Sequence, residues 1–173
     1  MDLNEIIQFR ITSDDFIKLP KKEHYSIRYV DNSNYNEYIT ELQYVIELLH
    51  KQLDWHGIPT IEDCIKRFDS NSFCLLFYYN DKCIGWNWGN PNVTLDWINI
   101  QRKLNPAELY LGGCFVSKLE NRPADAGWHN YNMFFDYCLT ELGATKMYGY
   151  CDDWNKAAIR INLSNGWKYH NFL

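Results

Sequence analysis

The stretch Glu108-Leu-Tyr-Leu-Gly-Gly-Cys-Phe-Val116, with the loop Ser117 to Ala126 and the segment Gly127 to Leu142 behind it, decides the fold. Its first nine residues have the composition of a buried strand. Two adjacent glycines, Gly112 and Gly113, predict a bulge or a close backbone approach within that strand. Apolar residues at steps of three and four after Gly127 predict a helix. The sequence therefore predicts a strand, a loop and a helix in direct succession.

Outward from this unit, periodicity predicts further strands and helices. Tyr25–Val30 alternates apolar and polar residues as a half-buried strand does, and residues 38–53 carry apolar side chains along one helical face. Thr60-Ile-Glu-Asp63 resembles a capping box and predicts the start of a second helix. Strands are also predicted at Phe73–Tyr79, Cys83–Trp88, Thr145–Tyr150 and Trp167–Phe172, and a short helix at Asn155–Leu163.

The order of these elements predicts the fold class. The chain runs strand, two helices, three strands, helix, strand, helix, strand. This order is typical of a single α/β (α+β) domain whose central twisted mixed sheet is flanked by about four helices. Residues 25–173 form that domain in this prediction, and residues 1–24 are an N-terminal extension of uncertain structure. The length of 173 residues also favours one domain.

Composition argues against several classes of function. The formal net charge of −5 lacks the basic footprint of a nucleic-acid-binding protein. The longest apolar run, Phe73–Tyr79, is far shorter than the ~20 residues of a membrane span. The polar N-terminus does not resemble a secretory signal, so a cytoplasmic protein is predicted. Six cysteines without a close pair and five scattered histidines predict structural thiols and no metal site.

Two motifs follow in the order of the predicted elements. Arg122-Pro-Ala-Asp-Ala-Gly127 lies between the predicted strand and helix, and Asn155-Lys-Ala-Ala-Ile-Arg-Ile-Asn-Leu-Ser-Asn-Gly-Trp167 follows a later strand. Together with the element order, they resemble the GNAT superfamily of acetyl-CoA-dependent N-acyltransferases. The resemblance covers roughly residues 25–167. It implies the fold of that superfamily and transfer of an acetyl or other short acyl group from a CoA thioester to an amino group.

The resemblance implies acetyl-CoA, or another acyl-CoA, as the co-substrate, and no metal. In the superfamily, amides of the loop and of the helix N-terminus bind the pyrophosphate, and the bulged strand binds the acyl carbonyl. Asp125 replaces the first glycine of the loop motif, and Asn162 replaces a tyrosine that protonates the CoA thiolate. The residues that the resemblance assigns to the cofactor are Cys114, Phe115, Val116, Arg122, Asp125, Ala126, Gly127, Trp128, Asn155, Ala158 and Asn162.

The catalytic residues follow from the predicted strand. Glu108 is predicted as the general base because it lies on this strand, upstream of the bulge. Tyr110 lies on the same strand face and is the second candidate, with Asp96 as a further option. A covalent route through Cys114, with His129 as its base, is the alternative mechanism.

The acceptor is predicted from aromatic side chains. The resemblance places Trp55, Trp86 and Trp88 on the acceptor side of the fold, and aromatic faces suit a sugar ring or a nucleobase. A small amine is therefore the predicted acceptor, for example an amino sugar or a nucleotide-linked amino sugar. Trp86 and Trp88 lie two apart on one strand face, so the alternative is that both are core against the helices. A protein N-terminus or lysine is the alternative acceptor. A catalytically silent acyl-CoA-binding or interaction module is the alternative function.

The end of the sheet is left open by the sequence. Superfamily members usually continue beyond the position of Trp167 through a sixth strand and one further strand. Here Tyr169–Leu173, the N-terminal segment or a partner must cover that edge, because open strand edges invite pairing. A homodimer is one of these alternatives.

Overall fold

The computed structural model describes residues 6–53, 57–95, 100–118 and 121–170. Within these ranges the chain forms nine strands and four α-helices. The strands are β1 Ile6–Thr12, β2 Tyr25–Val30, β3 Phe73–Tyr79, β4 Lys82–Asn90, β5 Asn92–Leu95, β6 Ile100–Lys103, β7 Glu108–Val116, β8 Lys146–Asp152 and β9 Lys168–Tyr169. The helices are α1 Ile39–Gln52, α2 Ile61–Asp69, α3 Ala126–Thr140 and α4 Lys156–Ser164, with a 3₁₀ turn at Tyr35–Tyr38.

Seven strands form one mixed sheet in the order β2-β3-β4-β7-β8-β1-β9, and β5 pairs with β6 in a separate hairpin. Strands β7 and β8 run parallel, with Glu108–Tyr110 opposite Lys146–Tyr148. Strand β1 runs antiparallel to both β8 and β9. The predicted α/β class, with a mixed central sheet and four flanking helices, is confirmed. The strands and helices predicted from Tyr25 onward are present, with ends shifted by a few residues.

Strand β1 is the main departure from the prediction. Residues 6–12 fall in the segment predicted as an N-terminal extension, yet they pair along the whole of β8 and lie between β8 and β9. Ile6, Phe9 and Ile11 are buried, but their spacing is not a strict alternation and therefore did not predict a strand. Two of the three alternatives therefore contribute: the N-terminal segment supplies β1, and the short β9, which includes Tyr169, pairs beside it. The β5–β6 hairpin was also not predicted.

The described residues fall into two compact units. Unit 1 is drawn from Met1–Leu19, Asn90–Gly112 and Tyr131–Leu173, and unit 2 from Pro20–Gly89 and Gly113–Asn130. Unit 1 holds β1, β5, β6, β8, β9 and α4. Unit 2 holds β2, β3, most of β4, α1 and α2. Strand β7 and helix α3 each contribute residues to both units.

The core of unit 2 lies between its two helices and one face of β3 and β4. Alternate residues of β4, Trp86 and Trp88, are 4% and 0% exposed and belong to this core. The Trp88 ring lies 4.9 Å from the ring of Phe68 on α2. Helix α2 begins with the predicted capping box, in which Thr60 and Asp63 bond each other's backbone amides. Helices α1 and α2 therefore bury their apolar faces against the tryptophans of β4.

Buried amides join the segment after β1 to helices α3 and α4 within unit 1. The Asn132 Nδ2 donates to the carbonyl oxygen of Ile17 at 2.8 Å and to Asn165 Oδ1 at 2.5 Å. The Ile17 amide in turn donates to the carbonyl oxygen of Asn165 at 3.1 Å. Next to Asn165, Gly166 has a φ of +95°, and a Cβ there would lie 1.8 Å from the carbonyl oxygen of Asp15. Glycine is therefore required where α4 ends.

Candidate functional site

Strand β7 becomes accessible toward its C-terminal end. Glu108 and Tyr110 at its start are buried, whereas Gly113 is exposed and residues 114–116 are half-buried. Gly113 has a φ of +144°, a conformation that residues with a side chain rarely adopt. The irregularity predicted from the two glycines is therefore present. Because β7 is an inner strand of the sheet, its exposed end is a place where solvent reaches the middle of the sheet.

The accessible end of β7 is fixed against β4 and α1. A Cβ on Gly85 of β4 would lie 2.2 Å from the carbonyl oxygen of Phe115, so glycine allows this close approach of the two backbones. The Ser117 amide donates to the carbonyl oxygen of Ile84 at 2.8 Å. The Ser117 Oγ accepts a hydrogen bond from Gln52 Nε2 at 2.8 Å. These contacts hold the backbone as it leaves β7.

The loop between β7 and α3 is braced by Arg122. Its Nε donates to the carbonyl oxygen of Ser117, and its Nη1 donates to that of Pro123 at 3.1 Å. The Ala126 amide also donates to the carbonyl oxygen of Pro123, at 3.1 Å, in the turn that begins α3. The first amides of a helix have no acceptor within the helix and carry the positive end of its dipole. The loop therefore presents a helix start suited to an anion.

The carboxylate of Asp125 lies at this helix start and is charge-compensated. It forms an ion pair with Lys22 Nζ, accepts a hydrogen bond from the Tyr25 hydroxyl at 2.9 Å, and lies 3.5 Å from His129 Nε2. The hydrogen bond from Lys22 holds the pKa of Asp125 below its usual value. Burial lowers the pKa of His129 and outweighs the opposing effect of Asp125. The carboxylate is therefore ionised beside a neutral imidazole at neutral pH.

A buried amide network connects β4, β7 and the first turn of α3. Asn87 and Asn130 are both 0% exposed. The Asn87 Nδ2 donates to Asn130 Oδ1 at 2.7 Å, and the Asn130 Nδ2 lies 3.3 Å from Cys114 Sγ. Buried amides without partners are costly, so this network specifies how α3 begins relative to the end of β7.

Known proteins share the fold of this chain at low sequence identity. No family model and no curated protein matches the sequence. Solved structures do match, among them a GCN5-related N-acetyltransferase from Sphaerobacter thermophilus, with a TM-score of 0.62 and 14% identity over 95% of this chain and 48% of that chain. The chain has the GNAT fold. It spans about half the length of the Sphaerobacter chain. The two solved structures described below have chains of about the same length as this one.

Two further solved structures share the fold, and the first of them is described as an aminoglycoside acetyltransferase. One is meta-AAC0020 from an uncultured soil metagenomic sample, in complex with trehalose, with a TM-score of 0.55 and 14% identity over 83% of this chain and 88% of that chain. The other is AAC(6')-Iy in complex with the bisubstrate analogue CoA-S-monomethyl-acetylneamine, with a TM-score of 0.59 and 13% identity over 87% of this chain and 95% of that chain.

The residues of unit 2 fit an acyl-CoA chemically. An accessible strand end with a positive-φ glycine offers backbone amides to an acyl group, and the start of α3 offers amides to phosphate. A Cβ on Gly113 would meet no atom closer than Trp88 Cδ1 at 4.0 Å, so the space beside this glycine is open. The residues predicted for the acyl and phosphate groups, from Cys114 to Trp128, surround these two features, and the Trp128 side chain is 40% exposed.

The tryptophans predicted to border the acceptor have another role. Trp86 and Trp88 lie on the strand face that packs against α1 and α2 and are almost fully buried. Their rings therefore form core, and neither is presented to a bound ring. Packing of both rings against the helices is the alternative that the sequence left open for this strand face, and the structure shows this packing. Trp55 lies outside the described residues.

Glu108 does not have the surroundings expected of a general base. One carboxylate oxygen accepts hydrogen bonds from Lys146 Nζ at 2.9 Å and from the Tyr148 hydroxyl at 3.3 Å. The other oxygen accepts from the Asn105 Nδ2 at 3.0 Å. Burial raises the pKa of Glu108, but the hydrogen bonds from Lys146 and Asn105 outweigh it and hold the pKa below its usual value. A carboxylate held ionised in this way is a weak base.

Tyr110, the other predicted catalytic residue, is a core residue of unit 1. Tyr110 is 4% exposed and packs with Val93, Leu104 and Tyr148. Its ring stacks on that of Tyr150 with a centroid distance of 6.1 Å. The structure therefore gives Tyr110 a packing role between β7 and the residues around the β5–β6 hairpin. Asp96 lies outside the described residues.

The second motif has one capping residue and one unusual buried amide. The Asn155 side chain accepts a hydrogen bond from the Ala158 amide at 3.1 Å and so caps α4. Asn162, at the tyrosine position of the superfamily, is 5% exposed. Its Oδ1 is buried and has no hydrogen-bond partner among the residues that the structure describes. A buried carbonyl oxygen without a donor is unfavourable.

The cysteines are free thiols, and five of the six are buried. Burial raises the pKa of Cys64 to about 11 and that of Cys83 to about 12. Cys114 is half-buried and is contacted by the Asn130 amide. Across the described ranges, no group of three His, Cys, Asp or Glu side chains is placed to hold a metal ion. In the same ranges, no helix is long and apolar enough to cross a membrane.

Lys22, Tyr25 and Gln52 contact the loop between β7 and α3, and the sequence did not predict them as residues of this site. Each acts across a long sequence separation: Lys22 is 103 positions from Asp125, and Gln52 is 65 positions from Ser117. No local pattern marks such contacts. The available signal was Asp125 itself, because a carboxylate at this helix start would repel a phosphate there unless a cation compensates its charge.

Replacement of Glu108 separates a structural role from a catalytic one. Glu108→Gln is expected to leave acyl-transfer turnover close to wild type and to lower the free energy of unfolding by about 1–2 kcal/mol, because the ion pair with Lys146 is lost. The folded pKa lies below the ordinary 4.5. The stabilisation is therefore present above that value and lost as pH falls through the folded pKa. Urea unfolding at pH 7 and pH 3, with steady-state kinetics, measures both effects.

The control for Glu108→Gln is Glu47→Gln. Glu47 pairs with Lys51 at 4.0 Å on α1, and both side chains are more than half exposed. Exposed pairs of this kind contribute little stability, so this variant should unfold like wild type. A folded Glu108→Gln variant without turnover would restore Glu108 as the general base.

Proposed function

We propose that this chain is an N-acyltransferase that moves an acetyl or other short acyl group from acyl-CoA to the amino group of a small molecule. The observation that carries the proposal is the accessible end of β7, residues 113–116, directly ahead of a loop that presents the start of α3. The GNAT fold supports it, because acetyltransferases are among the solved structures that share this fold.

The main chain performs most of the binding in this proposal. Gly113 turns strand β7, and the amides of residues 114–116 donate to the acyl oxygen, where negative charge develops during the reaction. The amides at the start of α3, around Gly127, donate to phosphate oxygens. Bound acyl-CoA supplies a thioester carbonyl that an amine attacks directly. Arg122 and Gln52 hold the backbone segments that carry these donors.

The acceptor enters the reaction as a neutral amine. Glu108 is held ionised by Lys146, and the proposal assigns it no proton. The rate should therefore rise with pH as the neutral fraction of the acceptor's own amine increases. This mechanism requires a pH–rate profile with one ascending limb. The midpoint of that limb should follow the pKa of each acceptor's amine.

Asn162 cannot take the acid role that the resemblance gives to a tyrosine. An amide side chain cannot release a proton at accessible pH, so water protonates the CoA thiolate. Asn162→Ala is expected to reduce turnover less than tenfold, well below the roughly 10²-fold or greater loss typical of a removed acid. Steady-state kinetics with acetyl-CoA measures this. Abolished turnover with acetyl-CoA binding intact would show that Asn162 is required for the chemical step.

A small amine on a sugar ring is the proposed acceptor class. One of the similar structures is described as an aminoglycoside acetyltransferase in complex with trehalose, and another holds the bisubstrate analogue CoA-S-monomethyl-acetylneamine. The net charge of −5 suits a cationic amine. Trp86 and Trp88 have no part in the proposed acceptor site, because both rings are core.

A catalytically silent acyl-CoA-binding module is the second candidate. Asn162 in place of an acidic tyrosine and the sequestered Glu108 favour it. Both candidates predict that the chain binds acyl-CoA. Only a measurement of acyl-transfer turnover therefore distinguishes them.

Binding of the acyl donor is the first test of the proposal. A ligand at 100 times its Kd should stabilise the folded chain by about 2.7 kcal/mol. Thermal melts with and without acetyl-CoA, followed by calorimetric titration, measure this. No shift in Tm and no heat of binding would contradict both candidates and leave the fold unaffected.

A further inference from the structure

Asp125 is where this chain departs from the loop motif of the GNAT superfamily, and its contacts bring in a cation that the motif lacks. A carboxylate at the start of α3 would repel a phosphate bound there. Its charge is matched, because Lys22 Nζ forms an ion pair with Asp125 Oδ2 and the Tyr25 hydroxyl donates to Oδ1 at 2.9 Å. Asp125 therefore holds the ammonium group of Lys22 at the start of α3, together with its own carboxylate.

Lys22 is held in place without being enclosed. Its side chain is 40% exposed, and that of Asp125 is 38% exposed. An ammonium group has three N–H donors, and the hydrogen bond to Asp125 uses one of them. Lys22 precedes β2 in sequence, so tertiary structure brings it to α3. Its ammonium is therefore fixed at the helix start with further donors to offer a ligand.

The arginine of the loop motif is engaged with the loop itself. Arg122 donates from Nε to the carbonyl oxygen of Ser117 and from Nη1 to that of Pro123. These bonds direct two sides of its guanidinium at the backbone. Lys22 is the cation that Asp125 anchors beside the amides of α3.

We propose that Lys22 binds a phosphate group of acyl-CoA, with Asp125 as its positioning residue. The inference rests on the proposed function, because the phosphate belongs to the acyl donor. An ammonium held by a carboxylate loses little further rotamer freedom when it binds. It acts on the phosphate together with the helix dipole. Asp125 replaces a glycine of the loop motif. Through its ion pair it holds Lys22, from the segment before β2, where the ammonium can bind a phosphate.

Calorimetric titration of the full chain with CoA tests the proposal. Lys22→Met is expected to raise the Kd about tenfold, as for the loss of one charge-assisted hydrogen bond. Lys21→Met is the matched control, because it removes the same charge from the neighbouring exposed position. Its Kd should change less than about twofold. The affinity of Lys22→Met should also depend less on salt than that of wild type.

A double variant separates direct binding from charge neutralisation. If Lys22 only neutralises Asp125, then Lys22→Met with Asp125→Asn should restore the wild-type Kd. Direct binding to phosphate predicts that the double variant stays about tenfold weaker. A restored Kd, or a wild-type Kd for Lys22→Met alone, overturns the inference. Absence of CoA binding by the wild-type chain overturns the proposed function itself, and melts of each variant confirm folding.

Discussion

Gly166→Ala is expected to lower the free energy of unfolding by about 3–5 kcal/mol. Gly166 has a φ of +95°, which alanine adopts only under strain, and the added Cβ would lie 1.8 Å from the carbonyl oxygen of Asp15. That backbone is held close by the hydrogen bond from the Ile17 amide to the carbonyl oxygen of Asn165. It therefore cannot move aside without breaking the contact between this segment and the end of α4. Urea unfolding measures the loss.

Gly143→Ala is the matched control for this substitution. Gly143 follows α3 with a φ of +66°, and no atom lies within 4 Å of the position that its Cβ would take. Only backbone strain remains, so the expected loss is about 1–2 kcal/mol. Equal losses at the two positions would contradict the close packing of Gly166 on Asp15.

Gly113→Ala is expected to lower kcat/KM for acyl transfer about 100-fold in a chain that remains folded. Gly113 has a φ of +144°. Alanine relieves the strain only by changing this angle, which reorients the amides of residues 114–116. No collision accompanies the change, because the nearest atom to the added Cβ is Trp88 Cδ1 at 4.0 Å. Steady-state kinetics with acetyl-CoA and a thermal melt of the same sample measure the two quantities.

Gly112→Ala is the neighbouring control. Its Cβ would lie 1.9 Å from Asn90 Nδ2, which is the far end of a side chain that can rotate away. The hydrogen bond from Asn90 to the carbonyl oxygen of Tyr110 is lost, at a cost of about 1 kcal/mol in stability. Turnover should stay close to wild type. Equal loss of turnover in both variants would contradict the specific role of the positive φ at Gly113.

Local pattern was sufficient for most of the fold. The period of apolar residues predicted α1, and the capping box at Thr60 and Asp63 predicted the start of α2, because both depend on residues a few positions apart. Strand β1 could not be predicted in this way. Ile6, Phe9 and Ile11 are buried by pairing with β8, more than a hundred residues later, and their spacing does not alternate strictly.

The candidate site was predictable only in part, for a related reason. The glycine pair and the loop from Arg122 to Gly127 are local patterns, and the sequence predicted that they bind the acyl and phosphate groups. The role of a side chain depends on what faces it, as Trp86 shows: its strand was predicted, but the sequence left open whether its ring packs against the helices or faces an acceptor. The partner of Glu108 could not be predicted either, because Lys146 reaches it only through the parallel pairing of β7 with β8.

Acyl transfer itself is the central claim, and release of free CoA thiol from acetyl-CoA measures it most directly. The wild-type chain is assayed with amino sugars, nucleotide-linked amino sugars, aminoglycosides, polyamines and lysine peptides, with a no-acceptor control. The account predicts acceptor-dependent thiol release with at least one ring-bearing amine and a rate that rises with pH. Thiol release with peptides alone would contradict the small-molecule acceptor. No release with any amine, while CoA still binds, would contradict catalysis and leave a silent acyl-CoA-binding module.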